Sequence, residues 1–255
     1  MAERALSFGA VARAYERYRP GYPAELVDDV LAYAGRPVRT ALEVGAGTGK
    51  ATRALVGRGI AVTATEPDPA MVRELRRHVP RAVTVVRAAF EDLGTDVSYD
   101  LVLAAASMHW TDPRGRWGRV AALLVPGGAF ACFGGQVELA DPALAAAAHR
   151  ARRPFLLSDD VPPPDGTPPG SQVQWPTTEL ARCPLFTDVR QTVVERRATV
   201  SSRDYVGHLS TISAYLQLPP AAREETFRRV LDVLPERVGV TADVVVHLAR
   251  RADRP

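Results

Sequence analysis

The run Glu43-Val44-Gly45-Ala46-Gly47-Thr48-Gly49 decides how this chain folds. It closes a short apolar stretch, 40–44, whose length suits a buried strand. It opens a segment, 49–58, that reads as a helix. Glycines at a strand-to-helix turn let the backbone reverse tightly and let a ligand come close. A phosphate loop of the form GxxxxGK[ST] does not fit. Its first glycine falls on Val44 and its serine or threonine on Ala51. A dinucleotide GxGxxG fits at Gly45 and Gly47 but puts Lys50 where the third glycine belongs.

Outward from that turn, strand-length apolar runs alternate with amphipathic segments. Residues 60–65 read as a strand ending at Glu66, and 69–78 as a helix with Asp68 as N-cap and Pro69 at its first position. Strands are predicted over 83–86, 99–105 and 129–133, with a helix over 116–124 and another, upstream, over 22–34. Such alternation implies a parallel sheet covered by helices on both faces, a doubly wound α/β fold. After Phe133 the pattern breaks. Residues 142–157 read as an Ala-rich helix, and 161–176, containing PPPDGTPPG, as a surface insertion too rich in proline for a helix or central strand. Helices over 201–215 and 221–234 lie between two late strands, 189–195 and 242–248.

Composition narrows the function classes. The 255 residues are 46% apolar and 24% charged, which suits one soluble domain. The expected organisation is a single domain: a helical N-terminal cover (1–36), a ligand-binding core (37–135), a helical and Pro-rich insertion (136–180) and a C-terminal part with the last two strands (181–255). No apolar run is long enough to span a membrane, and the N-terminus has no secretory pattern, so a cytoplasmic protein is expected. The net charge is +3, and the arginines come in scattered pairs such as Arg76-Arg77 and Arg228-Arg229. Nucleic-acid binders more often carry a clustered basic patch, so none is expected as a partner. Two cysteines without a CxxC, and five histidines without an HxxxH pair, argue against a metal site.

With an acid two residues before GxGxG, the 43–49 segment resembles the loop of class I S-adenosylmethionine (SAM) methyltransferases. Three further stretches fit that likeness. Thr65-Glu66-Pro67 ends the second strand with an acid able to accept from ribose hydroxyls. Ala88-Ala89-Phe90-Glu91-Asp92-Leu93 is similar to the family's adenine-contacting segment, although Ala89 stands where an acid is frequent. Leu123-Leu124-Val125-Pro126-Gly127-Gly128 is similar to the turn before the fifth strand. The resemblance implies SAM as cofactor, no metal, and a mostly parallel seven-stranded sheet of order 3-2-1-4-5-7-6 with helical additions over the site.

The segment after the fourth strand, Ala106-Ser107-Met108-His109-Trp110, lacks the [DNS]PP[YFW] run of enzymes that methylate base or amide nitrogens. His109-Trp110 instead resembles the type 11, trans-aconitate-methyltransferase-like branch that acts on small molecules. The stretches 15–23 and 205–215 are similar to that branch's cofactor-closing and substrate-facing segments. The resemblance implies cofactor contacts from Tyr18, Arg19, Glu43, Gly45, Ala46, Gly47, Gly49, Glu66, Pro67, Phe90, Glu91 and Ala105. It implies substrate contacts from Tyr15, Trp110, Tyr205, His208 and Tyr215, with His109 as the catalytic residue, a general base towards a hydroxyl or an orienting group for a carboxylate. The expected reaction is methylation of an oxygen, a carboxylate first and a hydroxyl second, on a small metabolite or short peptide in specialised biosynthesis. The expected assembly is a monomer or homodimer. N- or C-methylation of a small molecule and a non-catalytic SAM-binding module are the alternatives.

Overall fold

A computed structural model describes residues 6–168 and 170–253. Five strands run through its first half: β1 (Thr40–Val44), β2 (Ala61–Thr65), β3 (Thr84–Val86), β4 (Tyr99–Ala105) and β5 (Leu124–Gly134). Five more follow: β6 (Glu138–Leu139), β7 (Phe186–Val194), β8 (Arg197–Ser201), β9 (Arg237–Thr241) and β10 (Val244–Arg251). Seven of them form one sheet of order β3-β2-β1-β4-β5-β10-β7. Counting only that sheet's strands, this is the expected 3-2-1-4-5-7-6. β1 pairs in parallel with β2 and β4, and β4 with β5; β10 runs antiparallel between β5 and β7.

Ten α-helices are described: α1 (Ala12–Tyr18), α2 (Ala24–Ala34), α3 (Lys50–Val56), α4 (Pro69–His78), α5 (Arg116–Ala122), α6 (Pro142–Arg152), α7 (Thr177–Leu180), α8 (Ser202–Leu209), α9 (Ser213–Leu216) and α10 (Pro220–Val233). The first core cluster packs Leu26, Val30, Leu55 and Leu75 of α2, α3 and α4 on one face of the sheet. The second packs Val120 and Leu180 of α5 and α7 on the other. Fully buried parallel strands read as continuous apolar runs, which is why 40–44 and 99–105 were legible end to end. α4 also starts where expected, because the Asp68 carboxylate accepts from the N–H groups of Ala70 (2.7 Å) and Met71 (2.9 Å).

The later half departs from expectation. A second sheet of order β6-β9-β8 forms where no strand was predicted. With α6, α8, α9 and α10 it buries a third cluster that includes Leu139, Tyr205, Leu209, Tyr215 and Val230. The helix expected over 201–215 breaks between α8 and α9. There the hydroxyls of Ser210 and Thr211 donate back to the carbonyls of Gly207 and His208, both at 2.7 Å. Such back-bonding competes with helix continuation. α6 stops at Arg152, two residues before Pro154, and α2 starts after Pro23 rather than at Tyr22. In β5, Leu124 pairs with Tyr99 and Ala129 with Leu101, so Pro126-Gly127-Gly128 is absorbed as a bulge inside a longer strand.

Candidate functional site

The strand order reverses between β1 and β4, and in open α/β sheets ligands bind at the carboxyl ends of the strands beside that switch. A cleft partly open to solvent lies there. Its floor is the turn after β1, with Gly45, Ala46, Gly47 and Thr48. Tyr15 and Arg19 close it from the N-terminal side, and His208 and Arg196 from the C-terminal side. Gly47 has φ +58°, and an added Cβ there would meet only the Tyr15 ring, at 3.9 Å. The loop therefore leaves room for a ligand to lie against its backbone.

Glu43 is 1% exposed yet belongs to the cleft wall. The Thr52 hydroxyl donates to its Oε2 at 2.5 Å. Burial pushes its pKa up to about 8, opposed by the Thr52 hydroxyl and reinforced by Glu66. Glu66, at the end of β2, is pushed up to about 6 by burial, against hydrogen bonds from the backbone. Its Oε2 accepts from Gly47 N–H at 2.9 Å and its Oε1 from Asp68 N–H at 3.0 Å. A carboxylate offers roughly four acceptor positions, so Glu66 can also receive a diol.

A latch joins the N-terminal cover to the glycine turn. Lys50 donates to the Glu16 carbonyl at 2.7 Å and lies 3.5 Å from its carboxylate. Arg53 reaches the same carboxylate at 2.8 Å. Ahead of α1, a 3-10 turn covers Leu6–Val11. Phe8 packs edge-on to Trp110 at 5.8 Å and to Tyr15 at 6.0 Å. Gly9 is so close to Asp68 that a Cβ would stand 2.3 Å from its carboxylate.

Eight of the expected residues meet in the cleft wall: Tyr15, Arg19, Glu43, Gly45, Ala46, Gly47, Ala105 and His208. Arg19, though in that wall and expected on the cofactor's carboxylate, spends Nε and one terminal nitrogen on Thr211, at 2.9 and 3.0 Å. The others, Glu66 among them, lie outside the wall. Gly49 packs against α4 rather than facing the cleft. Phe90 is 5% exposed in the second core cluster, and the Glu91 carboxylate accepts from Asp112 N–H at 2.6 Å. Pro67 offers its carbonyl to Arg87 at 3.4 Å. Tyr18 packs against α8, where a Cβ on Gly207 would sit 2.6 Å from its ring. His109 and Trp110 share a 3-10 turn over Met108–Trp110 with ring centroids 4.6 Å apart, outside the cleft wall. Tyr205 and Tyr215 belong to the third core cluster, and the Tyr215 hydroxyl donates to Asp159 at 3.2 Å and accepts from Arg152 at 3.0 Å.

Other wall residues were missed. Lys50 drew notice only as standing where a dinucleotide loop has its third glycine. Ala106, at φ +54°, follows β4 and carries no sequence signal. Arg196 donates to the Gly21 carbonyl at 2.8 Å and makes no ion pair among the described residues. It sits in the short link between β7 and β8, which became a site element only when the second sheet formed. Among the described residues no group of three His, Cys, Asp or Glu side chains could hold a metal ion. Nor is any helix long and apolar enough to cross a membrane.

Because the Glu43 carboxyl titrates near pH 8, a ligand bearing an α-ammonium is expected to bind up to about tenfold more tightly per pH unit between 6 and 8. Calorimetry with S-adenosylhomocysteine checks this, and Glu43→Gln should flatten the dependence; a flat wild-type profile would dissociate Glu43 from the ammonium. Ligand-free stability runs the other way. Both acids have folded values above the ordinary 4.5, so stability present below pH 4.5 is lost as pH rises towards 6 for Glu66 and 8 for Glu43.

The sheet order, the switch-point cleft and the acid-flanked glycine turn together are those of the class I SAM-dependent methyltransferase fold. Residues 42–132 match the family model described as "Methyltransferase domain" (Methyltransf_11). Uncharacterized methyltransferases of Mycobacterium bovis and Mycobacterium tuberculosis are 45% identical over 126 residues, 49% of this chain and 51% of theirs. A Saccharomyces cerevisiae protein assigned as an S-adenosylmethionine-dependent methyltransferase, CRG1, is 27% identical over 124 residues, 46% of this chain and 43% of its own. The chain thus spans about half the length of the curated relatives it matches. A solved structure assigned as a type II methyltransferase from Anaeromyxobacter dehalogenans superimposes with a TM-score of 0.64 at 25% identity, covering 91% of this chain and 98% of that one.

Proposed function

We propose that the chain transfers a methyl group from SAM to an oxygen atom of a small metabolite or short peptide. The observation that carries this reading is the cleft itself. Its floor is the glycine turn, its buried acid is Glu43, and its far walls come from the later half of the chain. Glu43 would hold the cofactor's ammonium, Glu66 its ribose diol and the glycine turn its backbone-facing edge.

SAM supplies, when bound, a sulfonium methyl open to in-line displacement. The protein's part is to hold the acceptor in line with that methyl and to keep water out. Tyr15 offers an aromatic face in the cleft wall, which favours a cation. The absence of a [DNS]PP[YFW] run after β4 supports oxygen over an amide or base nitrogen.

The test is transfer of labelled methyl from SAM into a host extract, fractionated by size and treated with mild base. Label in small molecules or peptides is expected. Release of that label as methanol marks a carboxyl ester, and base-stable label marks a hydroxyl, nitrogen or carbon acceptor. Label confined to macromolecules would refute the small-molecule reading, and SAM binding without any transfer would leave a binding module.

A further inference from the structure

Arg196 ends the link between β7 and β8, and Arg197 opens β8. The fold treats the two differently. Arg197, its side chain 57% exposed, reaches the Asp243 carboxylate at 2.7 Å and Glu195 at 3.8 Å. Arg196 is half-buried in the cleft wall and has no ion pair among the described residues. The acid beside it is already used: Asp243 Oδ1 accepts the Arg196 backbone N–H at 2.8 Å and Arg197 Nη1 at 2.7 Å. One terminal nitrogen of Arg196 donates to the Gly21 carbonyl at 2.8 Å. Its other two nitrogens make no hydrogen bond among the described residues and are not shut off from solvent. The remaining cations of the wall are engaged, Arg19 by Thr211 and Lys50 by Glu16. An unpaired guanidinium in a partly enclosed cleft draws an anion, and its planar fork suits a carboxylate.

The sheet order sets where that anion sits. The Arg196 carbonyl accepts from Ala242 N–H at 3.0 Å, just ahead of β10. On the other side of that turn, a Cβ on Gly135, just past β5, would stand 1.9 Å from the Asp243 carbonyl oxygen. β10 and β7 are the third and fourth strands from β1, beyond β4 and β5, so the Arg196 backbone starts about 14–19 Å from the strand of Glu43. The α-carboxylate of SAM shares a carbon with the ammonium assigned to Glu43, and so would lie at the β1 end of the cleft. The anion at Arg196, at the β7 end, is a different one.

We propose that Arg196 anchors a carboxylate of the acceptor molecule, and that this carboxylate is not the group methylated. This rests on the methyl-transfer reading above. A carboxylate gripped by a guanidinium has its charge offset and its oxygens engaged, which makes it a poor nucleophile. The methylated oxygen therefore belongs to another group of the same molecule, nearer β1. The acceptor is an acid with two functional groups, a dicarboxylic acid or a hydroxy acid, and its methylated product is still an anion. Arg196 selects the acceptor and has no share in the bond-making step. A neutral analogue of the same shape leaves the guanidinium unpaired and binds more weakly.

The test uses the small-molecule fraction of the host extract, split on a strong anion exchanger at neutral pH. Acceptor activity, read as labelled methyl from SAM, should be confined to the retained acids, and the intact labelled product should be retained on a second pass. Arg196→Gln keeps a donor for the Gly21 carbonyl and removes the charge. It should raise the amount of acid fraction needed for half the maximal rate about 10- to 100-fold. The maximal rate and the S-adenosylhomocysteine affinity should stay within about threefold of wild type. Arg196→Lys restores the charge without the fork and should recover part of the loss. Activity in the unretained fraction, a product no longer retained, or an unchanged acceptor requirement in Arg196→Gln overturns the proposal. So does a loss that Arg196→Lys leaves unrestored, which marks a structural role. A parallel loss of S-adenosylhomocysteine affinity also overturns it, by giving Arg196 to the cofactor's carboxylate. A wild-type chain that binds no SAM, or binds it without transfer from any fraction, fails the methyl-transfer reading instead, before the variants are compared.

Discussion

Gly49→Ala is expected to lower the unfolding midpoint by about 4–20 °C, measured by circular dichroism. Two effects add. The residue sits at φ +89°, where a side chain costs about 1–2 kcal/mol. Its Cβ would stand 2.7 Å from Leu75 Cδ1 and 2.8 Å from Val79 Cγ1, so a packed core must open, for about 1–3 kcal/mol more. In a chain of this length each kcal/mol moves the midpoint by about 2–4 °C. A shift under about 2 °C would mean that α4 yields freely. Gly47→Ala is the contrast: its Cβ points into the cleft and should weaken ligand binding more than stability.

Glu66→Ala is expected to weaken SAM binding about 100-fold, or ~3 kcal/mol. The carboxylate acts twice. Towards the protein it accepts the N–H groups of Gly47 and Asp68, which fixes the glycine turn against the end of β2. Towards the ligand it keeps acceptor positions for two hydroxyls. Removing it leaves two N–H groups without a charged acceptor, each worth roughly 1–3 kcal/mol. Thermal unfolding of the ligand-free variant separates the two losses. Titration calorimetry with SAM decides the assignment: an affinity within threefold of wild type would take the diol away from Glu66.

The first half of the fold was legible because each strand is buried on both faces and each helix begins with its own signal. Asp68-Pro69 is an example: cap and first-turn proline stand side by side, and α4 starts there. The cleft wall was legible where it depends on local backbone, as at Gly45 to Gly47, and at Glu43. It was not legible where distant segments converge. Tyr205 stands on α8, which borders the cleft through His208, and Tyr215 on α9, which does not; both rings belong to the third core cluster. His208, three residues after Tyr205, carries the ring that forms the wall. A helix places neighbours on different faces, and which face meets the cleft depended on the second sheet, formed by strands too short and too exposed to read. His109 was drawn into catalysis by its place after β4, yet the 3-10 turn sets it beside Trp110, outside the cleft wall.

Lys50 bears a consequence of a different kind. It is the only lysine in the chain, and its side chain is 13% exposed at the cleft beside Glu16. Apart from the α-amine, every primary amine the protein can offer is therefore this one. An amine-selective reagent becomes a single-address label, and the extent of its reaction reads how open the mouth of the cleft is. Protection by a ligand, or exposure when the Glu16 latch lets go, would be reported by one peptide in a mass spectrum.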